Sequence, residues 1–98
     1  VMEGYDAVIA PTSGSTAHPI DKPFPVRRPW AFRDIMGALG NGAGLPSQSV
    51  PNGFSEKGLP TGIQFMGRAY DENKVIGIAK MYQERTRWHL RHPEMFTP

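Results

Sequence analysis

The first apolar run, Tyr5-Asp6-Ala7-Val8-Ile9-Ala10, ends at Pro11 and predicts a short strand with both faces covered, of the kind found in parallel or mixed sheets. From Pro11 to Pro29 the pattern dissolves. Prolines 11, 19, 23, 25 and 29 alternate with Ser, Thr and Gly, which predicts a long irregular loop because proline removes donors and extends the residue before it. Phe32, Ile35, Met36 and Leu39 then fall at helical spacing, and Gly37 and Gly40 predict that this helix closes near Gly40. Ser47–Pro51 reads as a short buried strand, Glu56-Lys57-Gly58 as an exposed tip, and Thr61–Gly67 as a strand with Ile63 and Phe65 on one face and Gln64 and Met66 on the other. The clearest pattern is the last: Val75, Ile78, Ala79 and Tyr82 predict a helix from Glu72 to about Trp88, capped by Asp71 and stopped before Pro93.

The element order is therefore strand, long loop, short helix, strand, strand, long helix, an α/β or α+β arrangement. Composition narrows this. Leu, Ile, Val and Phe make up 20 of 98 residues, while Gly and Pro make up 21. A chain of this size buries only about two thirds of its unfolded surface even with an ordinary core. Folding alone should be marginal, and the start at Val1 fits a piece of a longer polypeptide. The absence of Cys excludes disulfides, thiolate metal sites and a cysteine nucleophile, and a net charge of +2 is too small to mark a dedicated polyelectrolyte binder. No apolar run approaches a membrane span.

Several clusters invite a chemical reading. Ser13, Ser15, His18 and Asp21 carry the residue types of a serine hydrolase, but such groups come from distant segments on a rigid scaffold, and four within one Pro-rich loop reflect turn composition. Gly40-Asn41-Gly42-Ala43-Gly44 has the glycines of a phosphate loop in inverted context, with a helix before it and a strand after it. His89 and His92 lack a third metal ligand. Arg85, Arg87 and Arg91 around Trp88 share their helix with Asp71, Glu72 and Glu84, which favours a solvated helix end over a nucleic-acid patch. Arg33-Asp34, beside Trp30 and Phe32, could line a pocket or be an ordinary exposed pair. These residues alone assemble no complete catalytic site.

Four segments nevertheless occur in a telling order: Tyr5–Thr12, Asn41-Gly42-Ala43-Gly44-Leu45-Pro46-Ser47-Gln48-Ser49-Val50-Pro51-Asn52-Gly53-Phe54, Gly58-Leu59-Pro60-Thr61-Gly62-Ile63-Gln64-Phe65-Met66-Gly67-Arg68, and the helix from Asp71-Glu72 to Trp88-His89. From Tyr5 to about Pro93 the chain resembles the C-terminal end of an amidase-signature hydrolase. The resemblance implies an α/β fold, with residues 1–98 forming the C-terminal portion of a single mixed-sheet domain with flanking helices. It implies an enzyme acting on linear carbon–nitrogen bonds through a Ser nucleophile, a second Ser joined by a cis peptide and a Lys base, all in an N-terminal part that these residues do not contain. No catalytic residue, metal or cofactor is then expected in this chain, which alone should be inactive. The implied partners are a small-molecule amide and the remaining part of the same enzyme. Self-association is left open, a membrane is not expected, and the implied location is cytoplasmic.

The related reading is the A subunit of a glutamyl-tRNA(Gln) or aspartyl-tRNA(Asn) amidotransferase, the only amidase-signature reading with a nucleic-acid partner. In such amidotransferases, an acidic residue seven positions before the motif's Asn contacts the substrate's amino group. Asp34 stands at that distance from Asn41 and is the substrate-binding position carried over. Gly37, Gly42 and Asn52 depart from the residues usual in amidotransferases and favour a stand-alone amidase. The alternative from another class is a free-standing interaction or nucleic-acid-binding module.

Overall fold

A computed structural model describes residues 3–23 and 35–96. Asp34, Arg33, Trp30, Phe32 and the expected first turn of the short helix lie outside the described residues. Within them, three strands form one antiparallel sheet: β1 (Val8–Pro11), β2 (Ser47–Phe54) and β3 (Pro60–Met66), in the order β1-β3-β2. Two helices accompany it, α1 (Ile35–Ala43) and α2 (Glu72–Thr86), with short 3₁₀ turns at Trp88–Leu90 and Glu94–Phe96.

The β2–β3 hairpin sets the register. Its tip closes through the Ser55 N–H on the Leu59 carbonyl (2.8 Å) and the Gly58 N–H on the Ser55 carbonyl (2.9 Å), with Gly58 at φ +79°. The expected tip is therefore the observed one. Strand β2 runs past Pro51 to Phe54 because a bulge absorbs the proline: Pro51 lies opposite Gly62, Gly53 opposite Thr61, and Asn52 is the extra residue. Gly53, at φ +141°, takes a backbone conformation that a side chain would strain. Strand β1 pairs antiparallel with β3, Val8 opposite Met66 and Pro11 opposite Ile63. Its faces are not both covered as expected, since Ile9 is 61% exposed.

The core is small and one-sided. Val50, Phe65, Val75 and Ala79 are buried together, with Ile63, Ile78 and Tyr82 packed against them. Val75, Ile78, Ala79 and Tyr82 form the stripe the spacing predicted, and Tyr82 meets Phe65 edge to face at 5.6 Å. Gln64, Phe65 and Met66 are buried consecutively. The alternation assigns their faces correctly, yet it does not separate inside from outside here, because α2 covers Phe65 and α1 approaches Met66 from the other side. That approach brings the Met66 thioether against Gly40, where a Cβ would meet the flexible end of the side chain.

Gly40 consequently does not end α1. The helix continues to Ala43, and Gly44 at φ +72° terminates it: the Leu45 N–H reaches the Gly40 carbonyl (2.9 Å) and the Gly44 N–H the Asn41 carbonyl (3.3 Å), a Schellman closure. Helix α2 starts at Glu72 as expected, but Asp71 makes no side-chain capping bond. The helix ends at Thr86, two residues short of Trp88, because Arg87 turns left-handed at φ 59° and its N–H closes on the Gln83 carbonyl at 2.8 Å.

Candidate functional site

On the sheet face opposite α2, a run of polar side chains stands beside the buried Met66. Ser47, Ser49 and Gln64 alternate with the core residues, and register places Ser47 across from Met66 and Ser49 across from Gln64. Hydrogen bonds join them across all three strands. Thr12 Oγ1 and Ser49 Oγ share one of 2.6 Å; Ser47 Oγ donates to Gln64 Oε1 at 3.0 Å; Gln64 Nε2 donates to the Pro11 carbonyl at 3.2 Å. Gln64 is only 6% exposed, so these bonds are what make its burial tolerable.

Gly62 lets the row exist. A Cβ there would lie 2.9 Å from Thr12 Oγ1 and 3.4 Å from Ser49 Oγ, so a side chain would force the two hydroxyls apart. Beyond Thr12 the chain enters Ser13–Ala17, which with Asn52, Thr61 and Gly62 lines an open depression of ≈ 410 Å³. Thr61 Oγ1 donates to Asn52 Oδ1 at 2.7 Å and holds the bulged residue in its wall. Hydroxyls, amides and exposed backbone are suited to orienting a neutral polar group. The row contains no imidazole, amine or carboxylate to move a proton, and among the described residues none hydrogen-bonds to Ser47 or Ser49.

The clusters singled out in the sequence fare differently. Ser13 and Ser15 meet each other, the Ser15 N–H lying 3.4 Å from Ser13 Oγ, while His18 Nε2 is bonded to the Lys22 carbonyl at 2.9 Å. Asp21 is exposed, so the loop's hydrolase-like residues form no triad among the described residues. Gly40–Ala43 is helix and Gly44 its terminator, which excludes a phosphate loop there. No group of three His, Asp or Glu suited to a metal occurs among the described residues, His89 and His92 included. Arg85 and Arg87 are exposed at the end of α2. Asp34 lies outside the described residues. The Thr12–Ser49–Gln64 row is not among the expected sites; its signals in the sequence are the Ser-x-Ser repeat of β2 and one Gln among apolar neighbours in β3.

Comparison with known proteins identifies relatives of the chain. The family model described as Amidase matches residues 1–76. The chain is 40% identical over 95 residues to the A subunit of a glutamyl-tRNA(Gln) amidotransferase from Thioalkalivibrio sulfidiphilus, covering 97% of this chain and 19% of that protein. It is 38% identical over 94 residues to the protein of the same name from Brevibacillus brevis, covering 96% and 19%. Among solved structures, it resembles a native peptide amidase from Stenotrophomonas maltophilia with a TM-score of 0.74 at 39% identity, covering 95% of this chain and 17% of the other. The A subunit of a glutamyl-tRNA(Gln) amidotransferase from Thermotoga maritima gives 0.73 at 38%, covering 87% and 18%. The chain thus spans about a fifth of the length of the relatives it matches. No helix among the described residues is long and apolar enough to cross a membrane.

Proposed function

The chain belongs to the amidase family, and on that premise we propose that it is the C-terminal segment of an amidase-signature enzyme hydrolysing linear amide bonds. It contributes core and substrate-pocket wall, and the reacting groups belong to another part of the enzyme. The observation that carries this reading is the chemistry of the polar face. A row of hydroxyls and one buried amide can orient a substrate amide, but it offers no base to activate Ser47 or Ser49. A Ser–Ser–Lys set elsewhere in the polypeptide would attack the carbonyl and release ammonia or an amine; water would then free the carboxylate. Asp34 is the position we assign to the substrate's amino group, on the family resemblance. We assign the enzyme to the cytoplasm.

A second reading is favoured by the curated relatives. The chain is 40% and 38% identical to two amidotransferase A subunits, proteins whose name ties them to glutamyl-tRNA(Gln). In that case further protein partners and charged tRNA join the system.

The test mixes this chain with the N-terminal portion of an amidase-signature polypeptide and measures ammonia release from simple amides. We expect no release from the chain alone and release from the mixture. Ammonia release by the isolated chain would refute the wall role. Release from glutamine only in the presence of charged tRNA would select the amidotransferase.

A further inference from the structure

The hairpin also meets the segment that follows α2. There a cavity of ≈ 760 Å³ has walls that include Pro51, Phe54, Pro60, Trp88 and Pro93, with Arg91, His92 and Glu94 as its charged and polar lining. This size falls within the usual range of small-molecule sites, and so does the combination of apolar walls with a few convergent polar groups. Phe54 and Trp88 meet edge to face at 6.1 Å, and the Arg91 guanidinium carbon lies 5.1 Å from the Phe54 ring centre and 5.8 Å from that of Trp88.

Two rings therefore hold Arg91 in place. It forms no ion pair among the described residues, so none of their carboxylates consumes its N–H fork. A guanidinium fixed against aromatic faces, with donors to spare, suits a planar carboxylate. Glu94, in the same lining, argues against a dianion such as phosphate, which would meet one positive and one negative side chain. His92 Nδ1 is turned toward the Pro93 carbonyl at 3.4 Å.

We propose that this cavity binds a small monocarboxylate with an aromatic or apolar body. The body lies against Trp88, Phe54 and the prolines, and the carboxylate pairs with Arg91. The proposal does not rest on the amidase reading, and the cavity shares only Pro60 with the depression beside the polar row.

The test titrates the reconstituted enzyme, its nucleophilic serine blocked by a fluorophosphonate, with 3-phenylpropionate and follows binding by isothermal titration calorimetry. Expected is saturable binding near about 1 mM, as suits a ligand of this size. The neutral 3-phenylpropionamide should bind about tenfold more weakly, and Arg91→Gln should weaken the acid by a similar factor. Glu94→Gln should tighten it about twofold, a change in the opposite direction that a misfolded variant would not produce. Circular dichroism of each variant confirms the parent fold. Equal affinity for acid and amide, an unchanged Arg91→Gln titration, or no saturable signal would overturn the proposal. Saturation by a dipeptide but not by 3-phenylpropionate would assign the cavity to a polypeptide end and overturn it as well.

Discussion

Gly67 joins the end of β3 to the turn before α2, and a Cβ placed there would overlap Val75 Cγ2 and come within 3.8 Å of Asp71 Cβ and the Asp71 carbonyl oxygen. Val75 is 2% exposed and is the largest fully buried side chain among the described residues. Being β-branched, it has essentially one helical rotamer and cannot swing away. Gly67→Ala should therefore push α2 off the sheet and cost about 1–3 kcal/mol, the range for overpacking a close-packed site. In a domain of this size each 1 kcal/mol lowers the melting temperature by roughly 4–8 °C. Val75→Ala alone should cost about 1–3 kcal/mol for two buried methyl groups and the void they leave. In the double variant the new Cβ enters that void, so the two losses should fall short of additivity by about 1 kcal/mol or more. Urea titrations of the four proteins, followed by far-ultraviolet circular dichroism, measure the cycle. A Gly67→Ala protein as stable as the parent, or strictly additive losses, would refute the steric reasoning.

Gly40→Ala provides the contrasting case: its Cβ meets the flexible end of Met66, and the roughly 1 kcal/mol helix-propensity gain should leave the midpoint nearly unchanged in the same titration. Gln64→Leu should cost about 1–3 kcal/mol despite its greater apolarity, because Ser47 and the Pro11 carbonyl lose their partner; a stabilised variant would contradict the row's role. Asp71→Ala should cost no more than about 0.5 kcal/mol, a residual charge–dipole effect, since the side chain makes no capping bond; a loss above about 1 kcal/mol in a thermal melt would show that a cap forms in solution. In a reconstituted enzyme, Asp34→Ala should impair amine-bearing substrates far more than simple amides, and identical kinetics across such a panel would remove Asp34 from the pocket.

What is legible in the sequence is largely what local pattern determines. The apolar stripe of α2 is written at spacing three and four, and the hairpin tip is written in Glu56-Lys57-Gly58. Where a tertiary contact decides, local rules mislead. Gly40 looks like a helix terminator but serves close packing against Met66, and Gly44 ends the helix four residues later. Asp71 has the chemistry of a cap, but the backbone there, at φ −98° and ψ 36°, does not bring its carboxylate to a free N–H. Pro51 has the chemistry of a strand end, and the bulge at Asn52 carries β2 past it. The polar row is hidden in the sequence because its members lie on three segments that only the sheet register brings together. The amidase resemblance is legible because it rests on the order of whole motifs, and the family match bears it out.

If these residues supply pocket wall and not the reacting groups, the nucleophilic serine is none of those in this chain. The most direct test treats the reconstituted enzyme with a fluorophosphonate and maps the adduct by peptide mass spectrometry. The expected adduct lies outside residues 1–98, with Ser13, Ser15, Ser47, Ser49 and Ser55 unmodified. Stoichiometric labelling of any of those five, with loss of activity in step, would contradict the wall role.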